Sequence, residues 1–269
     1  MKAFSILMLA QSLTSYVFAQ DMTLMSAIEA LPSCASCTIK EGLTTKNVTS
    51  TLCELPVRNR SGRLKATNIA LAILSNLSIL ARIVGKFTGP GNGLGIDDLC
   101  LMVATYVGMS NAIIIDRGTL PSGLGRDIWT LPFSSITNFV RFFYVMEILY
   151  FVELTFLKLS LLFFYKRIFP GTTITKVLWA TIAFNVLFGI AFTIAGIFQC
   201  QPISHYWTYW DGEQNGKCFN INALAWANAG ISIAVDIWML AVPLSQVLRL
   251  NLALKKKLAV ALMFGVGTL

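Results

Sequence analysis

Apolar residues run along this chain in long blocks separated by short polar segments. The blocks cover Thr67–Val84, Leu99–Ile115, Phe139–Tyr165, Val177–Phe198 and Ile221–Leu248, and a sixth begins near Leu258. A helix needs about 20 apolar residues to cross the hydrocarbon core of a bilayer. The pattern therefore predicts an all-α polytopic membrane helix bundle, with five complete helices plus the start of a sixth. No internal repeat or low-complexity tract interrupts it.

Composition supports this reading. Apolar residues make up 55% of the 269 positions, charged residues only 13%, and the mean hydropathy is +0.67. Soluble domains carry about 25% charged residues. A formal net charge of +8 would point to nucleic acid in a soluble protein. Here Lys and Arg gather at the ends of apolar blocks, as in the cytoplasmic loops of membrane proteins. No nucleic-acid partner is expected; the lipid bilayer is.

The N-terminus reads MKAFSILMLAQSLTSYVFAQ. Lys2, the apolar run Phe4–Ala10 and the small residues around Phe18 form a secretory signal peptide over residues 1–19. Residues 20–62 follow as a polar, cysteine-bearing extracellular segment, and residues 63–269 as the transmembrane domain. Asn47 and Asn59 begin glycosylation sequons on that segment. A third sequon, at Asn76, falls inside an apolar block and should be unreachable.

With the N-terminus outside, the cytoplasmic loops hold Arg82 and Lys86, then Lys166, Arg167 and Lys176, then Arg249 and Lys255–Lys257. The outside loops balance Arg117, Arg126 and Lys217 with Asp116, Asp127, Asp211 and Glu213. This asymmetry fits the positive-inside rule. Arg58, Arg60, Arg63 and Lys65, just before the first block, run against it.

Five cysteines face the outside in this arrangement, where disulfides form. Cys200 and Cys218 bracket the loop between the fourth and fifth blocks and are disulfide candidates, as are Cys37 and Cys53. The odd number leaves the pairing of Cys34 open, and a zinc site from Cys34, Cys37 and Cys53 has poor spacing. Cys100 reads as a reduced, packed thiol. In the Cys200–Cys218 loop, Tyr206, Trp207, Tyr209 and Trp210 read as interfacial anchors, or alternatively as a lid over a ligand cavity. His205 reads as a solvated loop residue.

Ionisable groups at membrane depth are costly and normally face the bundle interior. Glu147, Glu153 and Lys158 lie in the third block and Asp236 in the fifth. Glu147 and Lys158 share a helix face about 16 Å apart, and Glu153 points about 120° away. Lys158 can reach Asp236 if the two helices meet, either locking them together or acting as a switch; alternatively Lys158 snorkels to the interface. Asp97 and Asp98 read as helix-cap acids. Pro243 reads as a hinge inside the fifth helix. The glycine-rich turn Gly89–Gly95 lacks the Lys and Ser/Thr of a phosphate loop. Lys255–Lys257 reads as a topology signal attracted to anionic lipid.

Two resemblances follow from these residues. Leu31–Cys37, Thr44–Cys53 and Pro56–Arg58 resemble fungal CFEM modules, small extracellular domains with eight cysteines. The remainder resembles the fungal seven-helix, receptor-like family that carries such a module before a rhodopsin-like bundle. The matching pieces are Gly95–Asp98, Glu147–Tyr150, Lys158–Ser160, Tyr165–Phe169, Phe198–Pro202, Trp207, Cys218, Asp236 and Pro243. They lie within Pro32–Gly267. The resemblance implies a fungal cell-surface receptor at the plasma membrane, sensing an extracellular ligand and signalling through a cytoplasmic partner such as a heterotrimeric G protein. Alternatives are a transporter or channel, or a haem-binding surface protein. The CFEM-like segment has three cysteines and lacks the region holding the family's haem-binding Asp, so no haem or other cofactor is expected. The sequence stops inside the sixth helix where the resembled family continues through a seventh, which reads as a fragment, a gene-model error or a defective product. No nucleophile–base set or metal triad is present, and the chain reads as a non-enzyme.

Overall fold

The computed structural model describes residues 38–88, 94–169 and 171–249. The leader, Cys34, Cys37 and the sixth apolar block lie outside these residues. So do Lys255–Lys257 and most of the glycine-rich turn.

The first element is α1, Ile39–Leu52, within what the sequence marks only as a polar segment. Thr38 caps it: the Thr38 Oγ1 accepts the Glu41 N–H at 3.3 Å, and the Glu41 carboxylate accepts the Thr38 N–H at 2.8 Å. Such a box satisfies two otherwise orphaned donors at a helix start. Leu43, 2% exposed, anchors α1 against Ile128, Ile136 and Trp210. Asn47 is exposed on α1, and Asn59 is exposed in the segment that follows.

All five apolar blocks form helices long and apolar enough to cross a membrane. They are α2 (Ser61–Thr88), α3 (Ile96–Ile114), α4 (Phe133–Ile168), α5 (Thr172–Ile197) and α7 (Ile221–Arg249). A π-helical turn, Ile115–Thr119, continues α3. The fold is an all-α polytopic bundle. Between α5 and α7 lie the short α6 (His205–Thr208) and a two-stranded pair, β1 (Cys200–Gln201) with β2 (Lys217–Cys218).

Helices α2, α3, α4 and α5 start before their apolar blocks, because polar and interfacial turns are helical as well and hydropathy does not register them. The 36 residues of α4 extend about 54 Å, well beyond a hydrocarbon core of about 30 Å. Its added first turns are held by Trp210, whose Nε1–H donates to Thr137 Oγ1 at 3.1 Å and whose ring lies 6.0 Å from Phe133.

The core is built by α3, α4 and α5. Leu101, Ala104, Leu157, Leu162 and Leu178 cluster there with Val235 and Met239 of α7. Ile73, Tyr106, Leu187 and Trp226 are exposed on the outside, as apolar residues facing hydrocarbon should be. Small residues let the helices approach. A Cβ on Gly108 would stand 2.5 Å from the Glu153 Oε1, and one on Gly196 would stand 2.9 Å from the Phe151 ring. The backbone of α7 approaches its neighbours far less closely than α3, α4 and α5 approach one another. Helices α2, α4 and α7 begin at the end that carries the β1–β2 hairpin, and α3 and α5 at the opposite end.

Candidate functional site: a polar seam carried by the fourth helix

The helix α4 offers polar groups to α3, α5, α6 and α7. At the hairpin end, Glu147 is 8% exposed. Its Oε2 accepts from Gln199 Nε2 at 3.0 Å and from the Tyr206 hydroxyl at 3.1 Å. A carboxyl buried this far is tolerable only with such donors. Burial, with Glu147 beside it, pushes the Tyr206 phenol well above its ordinary range, so it stays a protonated donor. The Tyr144 hydroxyl donates to the Ile197 carbonyl at 2.9 Å, and its ring lies 5.0 Å from that of Tyr206.

A disulfide joins Cys200 and Cys218 across this hairpin. It closes a loop of 18 positions and so removes unfolded-state freedom worth about 3 kcal/mol. We expect Cys200→Ser/Cys218→Ser to lower stability by about that amount, measured by denaturant unfolding in micelles. The hairpin corrects two expectations. His205 is 4% exposed, not solvated, with its ring packed against Gly216. Tyr206 and Trp210 turn inward as parts of the fold instead of anchoring at the lipid interface. Tyr209 remains exposed, and Trp207 stacks under the Arg141 guanidinium at 5.5 Å.

Beyond the midpoint of α4, toward its C-terminal end, the Lys158 Nζ lies 3.0 Å from the Asp236 Oδ1 on α7. It also donates to the Ser232 hydroxyl at 2.6 Å and the Ser232 carbonyl at 3.0 Å. Lys158 is 3% exposed, so it does not snorkel to an interface. Nearby, Asn185 Nδ2 donates to the Thr155 carbonyl at 3.1 Å, and Trp238 Nε1 donates to Thr181 Oγ1 at 3.1 Å. A cavity of about 10 Å³ lies among Lys158, Asn185, Asn228 and Ser232, enough for about one water. Glu153 lies on another face, where Asn111 Nδ2 of α3 donates to it at 3.3 Å. Pro243 is buried within α7, and the helix runs through it.

At the opposite end, Asp97 and Asp98 are each 3% exposed. Asp98 Oδ2 accepts the Gly95 N–H at 3.0 Å, the geometry of a helix cap. Both acids also take cations from α2. Arg82 reaches Asp97 at 2.8 Å and Asp98 at 3.1 Å, and Lys86 pairs with both. Ser160 of α4 donates to the Asp97 carbonyl at 2.8 Å, and Arg167 lies 4.0 Å from the Asp97 carboxylate. The acids therefore bind three helix ends together, which a cap alone would not do.

Cys53 is exposed and free, and Cys100 is buried and free. The proposed partner of Cys53, Cys37, lies outside the described residues.

Residues 81–269 match the fungal rhodopsin domain. The chain belongs to that family. The match covers the Asp97 cluster, all of α4 and the Lys158–Asp236 pair, and does not extend to the CFEM-like segment. Among curated relatives, this fungal rhodopsin domain protein is 29% identical over 152 residues to the SAT4 family membrane protein of Emericella nidulans. It is 27% identical over 206 residues to the polyenoic acids biosynthesis gene cluster protein Ba17b of Metarhizium anisopliae. It is 25% identical over 147 residues to fugralins biosynthesis cluster protein 2 of Gibberella zeae. These alignments cover 54%, 75% and 52% of this chain, and 38%, 56% and 36% of the respective relatives. No solved structure matches.

Gln199, Ser232, Asn185 and Ser160 join the seam without having been singled out in the sequence. The available signal was polarity inside apolar blocks, which marks Asn185 and Ser232. Nothing in the sequence assigns their partners.

Proposed function

We propose that this multi-pass membrane protein is a receptor-like protein of the fungal cell surface. It senses an external cue and passes a change in helix packing to a cytoplasmic partner, such as a heterotrimeric G protein. In this reading the N-terminus is outside, after removal of the leader at residues 1–19. The hairpin end is then the sensing end and the Asp97 end the signalling end.

One observation carries the proposal: α7 is tied to α4 by Lys158, Asp236 and Ser232 rather than by close backbone approach. A tie made of a few polar contacts has two alternative states, made and broken, and a cue that favours one shifts the population. Membership of a rhodopsin-like membrane family supports the same role. The seam reaches α3, α5, α6 and α7, so a shift of α4 is felt at both ends.

The test is a G-protein dissociation assay in fungal cells that express the full-length protein, with cell-surface level measured in parallel. Asp236→Asn should change the basal signal or the cue-evoked signal at normal surface level. An unchanged signal at normal surface level would remove this reading. Solute uptake into vesicles carrying the purified protein would replace it with a transporter.

A further inference from the structure

A groove of about 680 Å³ runs along the outside of the bundle between α2 and α3. That size lies within the roughly 300–1,000 Å³ of small-molecule sites. Its walls are Ile69, Ile73, Leu77 and Leu80 of α2 and Met109 and Ile113 of α3. Ile73, Leu77, Leu80 and Ile113 are each 56–57% exposed, so the groove is open to whatever surrounds the bundle. It exists because the two helices stand apart. Asparagines bridge the gap: Asn68 Nδ2 donates to the Ala112 carbonyl at 2.9 Å, and Asn76 Nδ2 lies 2.7 Å from Met109 Sδ.

The mouth of the groove, at the hairpin end, is ionic. Asp116 and Arg117 line it. The Lys65 Nζ lies 3.2 Å from one oxygen of the Asp116 carboxylate and the Arg117 Nε lies 3.5 Å from the other, so one carboxylate is shared between two cations. The Lys65 and Arg117 side chains are 55% and 84% exposed and keep donors available. Arg60 and Arg63 are exposed nearby in the chain, Arg60 just before α2 and Arg63 in its first turn. Lys65 directly precedes the apolar part of α2, and Arg117 directly follows the apolar part of α3. Both therefore stand at the depth of lipid headgroups when these helices span a bilayer.

We propose that this groove is a binding site for an anionic glycerophospholipid. An acyl chain lies along Ile73, Leu77 and Ile113, and the phosphate sits between Lys65 and Arg117. Charge complementarity selects this occupant. Lys65 and Arg117 against the single carboxylate of Asp116 leave the mouth one positive charge in excess, which a wholly apolar partner helix would not offset. A second copy of the chain would bring the same cationic rim against itself, which is repulsive. This site also gives a role to Lys65, one of the cations that run against the positive-inside pattern.

The experiment uses the full chain in nanodiscs of phosphatidylcholine with a minor fraction of phosphatidylglycerol. Retained lipid is identified by native mass spectrometry. The protein should keep phosphatidylglycerol in preference to phosphatidylcholine. Lys65→Gln/Arg117→Gln should reduce that retention about tenfold, the effect of losing roughly 1.4 kcal/mol of charge-assisted bonding. Both positions are exposed, so the variant should fold. Equal retention by the variant, or no preference between the two lipids, would overturn the proposal. As a second arm, a benzophenone amino acid at Ile73 should crosslink to lipid on illumination. A crosslink to residues 258–269 or to a second copy of the chain would also overturn it.

Discussion

Asp98→Ala should destabilise the protein by about 3 kcal/mol, the largest effect expected of any single substitution here. The carboxylate has three tasks. It accepts the Gly95 N–H at the start of α3, it receives the Arg82 Nε–H at 3.1 Å, and it pairs with Lys86. Losing a cap costs about 1 kcal/mol. The remainder comes from leaving two cations short of a counter-charge at a site where Asp98 is 3% exposed. Asp98→Asn keeps the cap acceptor and should lose about half as much. Denaturant unfolding in micelles measures both. The deficit should persist at high salt, because buried pairs are screened far less than exposed ones. A loss that vanished in salt would mean that the cluster is held only at the surface.

Lys158→Met should cost about 2 kcal/mol, below the roughly 3–5 kcal/mol typical of breaking a fully buried pair. The discount reflects the partner, since the Asp236 carboxyl inside a spanning helix can take up a proton rather than remain an unpaired charge. The Ser232 hydroxyl and carbonyl lose their donor as well. Lys158→Met/Asp236→Leu should recover to within about 1 kcal/mol of the wild type, because an apolar contact of similar volume replaces an ion pair with little net change. Stability and response then separate the two roles of the pair. If it only fastens α7, the double variant should respond like the wild type. If it is a switch, the double variant should be stable and unresponsive, because the apolar contact has no charged state to exchange.

Much of this was legible along the chain. The apolar blocks marked all five spanning helices, because length and hydropathy are what a bilayer selects. Ionisable residues inside those blocks marked Glu147, Glu153, Lys158 and Asp236, because a charge at that depth needs a partner. The pairing of Lys158 with Asp236 was one of several open possibilities, since helical periodicity fixes the face a residue occupies but not which helix stands opposite it. Asp97 and Asp98 illustrate the same gap. Their position before an apolar block indicates a cap, yet Arg82 and Lys86 come from a different helix, and their arrival at the same end is a matter of packing. His205 was misjudged because loop membership is a statement about chain order. Its burial depends on the hairpin folding back over it with Gly216 against the ring.

By itself the sequence determined the position and apolar character of the five described spanning helices and the depth at which their charges sit. These properties depend on local spacing and on the solvent each segment must face. Only the tertiary structure decided which groups meet: Glu147 with Gln199 and Tyr206, Lys158 with Asp236 and Ser232, Asp97 and Asp98 with Arg82 and Lys86. It also decided that α2 stands off α3 to leave a groove with an ionic mouth. The physical reason is that partners distant in sequence are brought together by helix packing, whose rotations and offsets no single segment encodes.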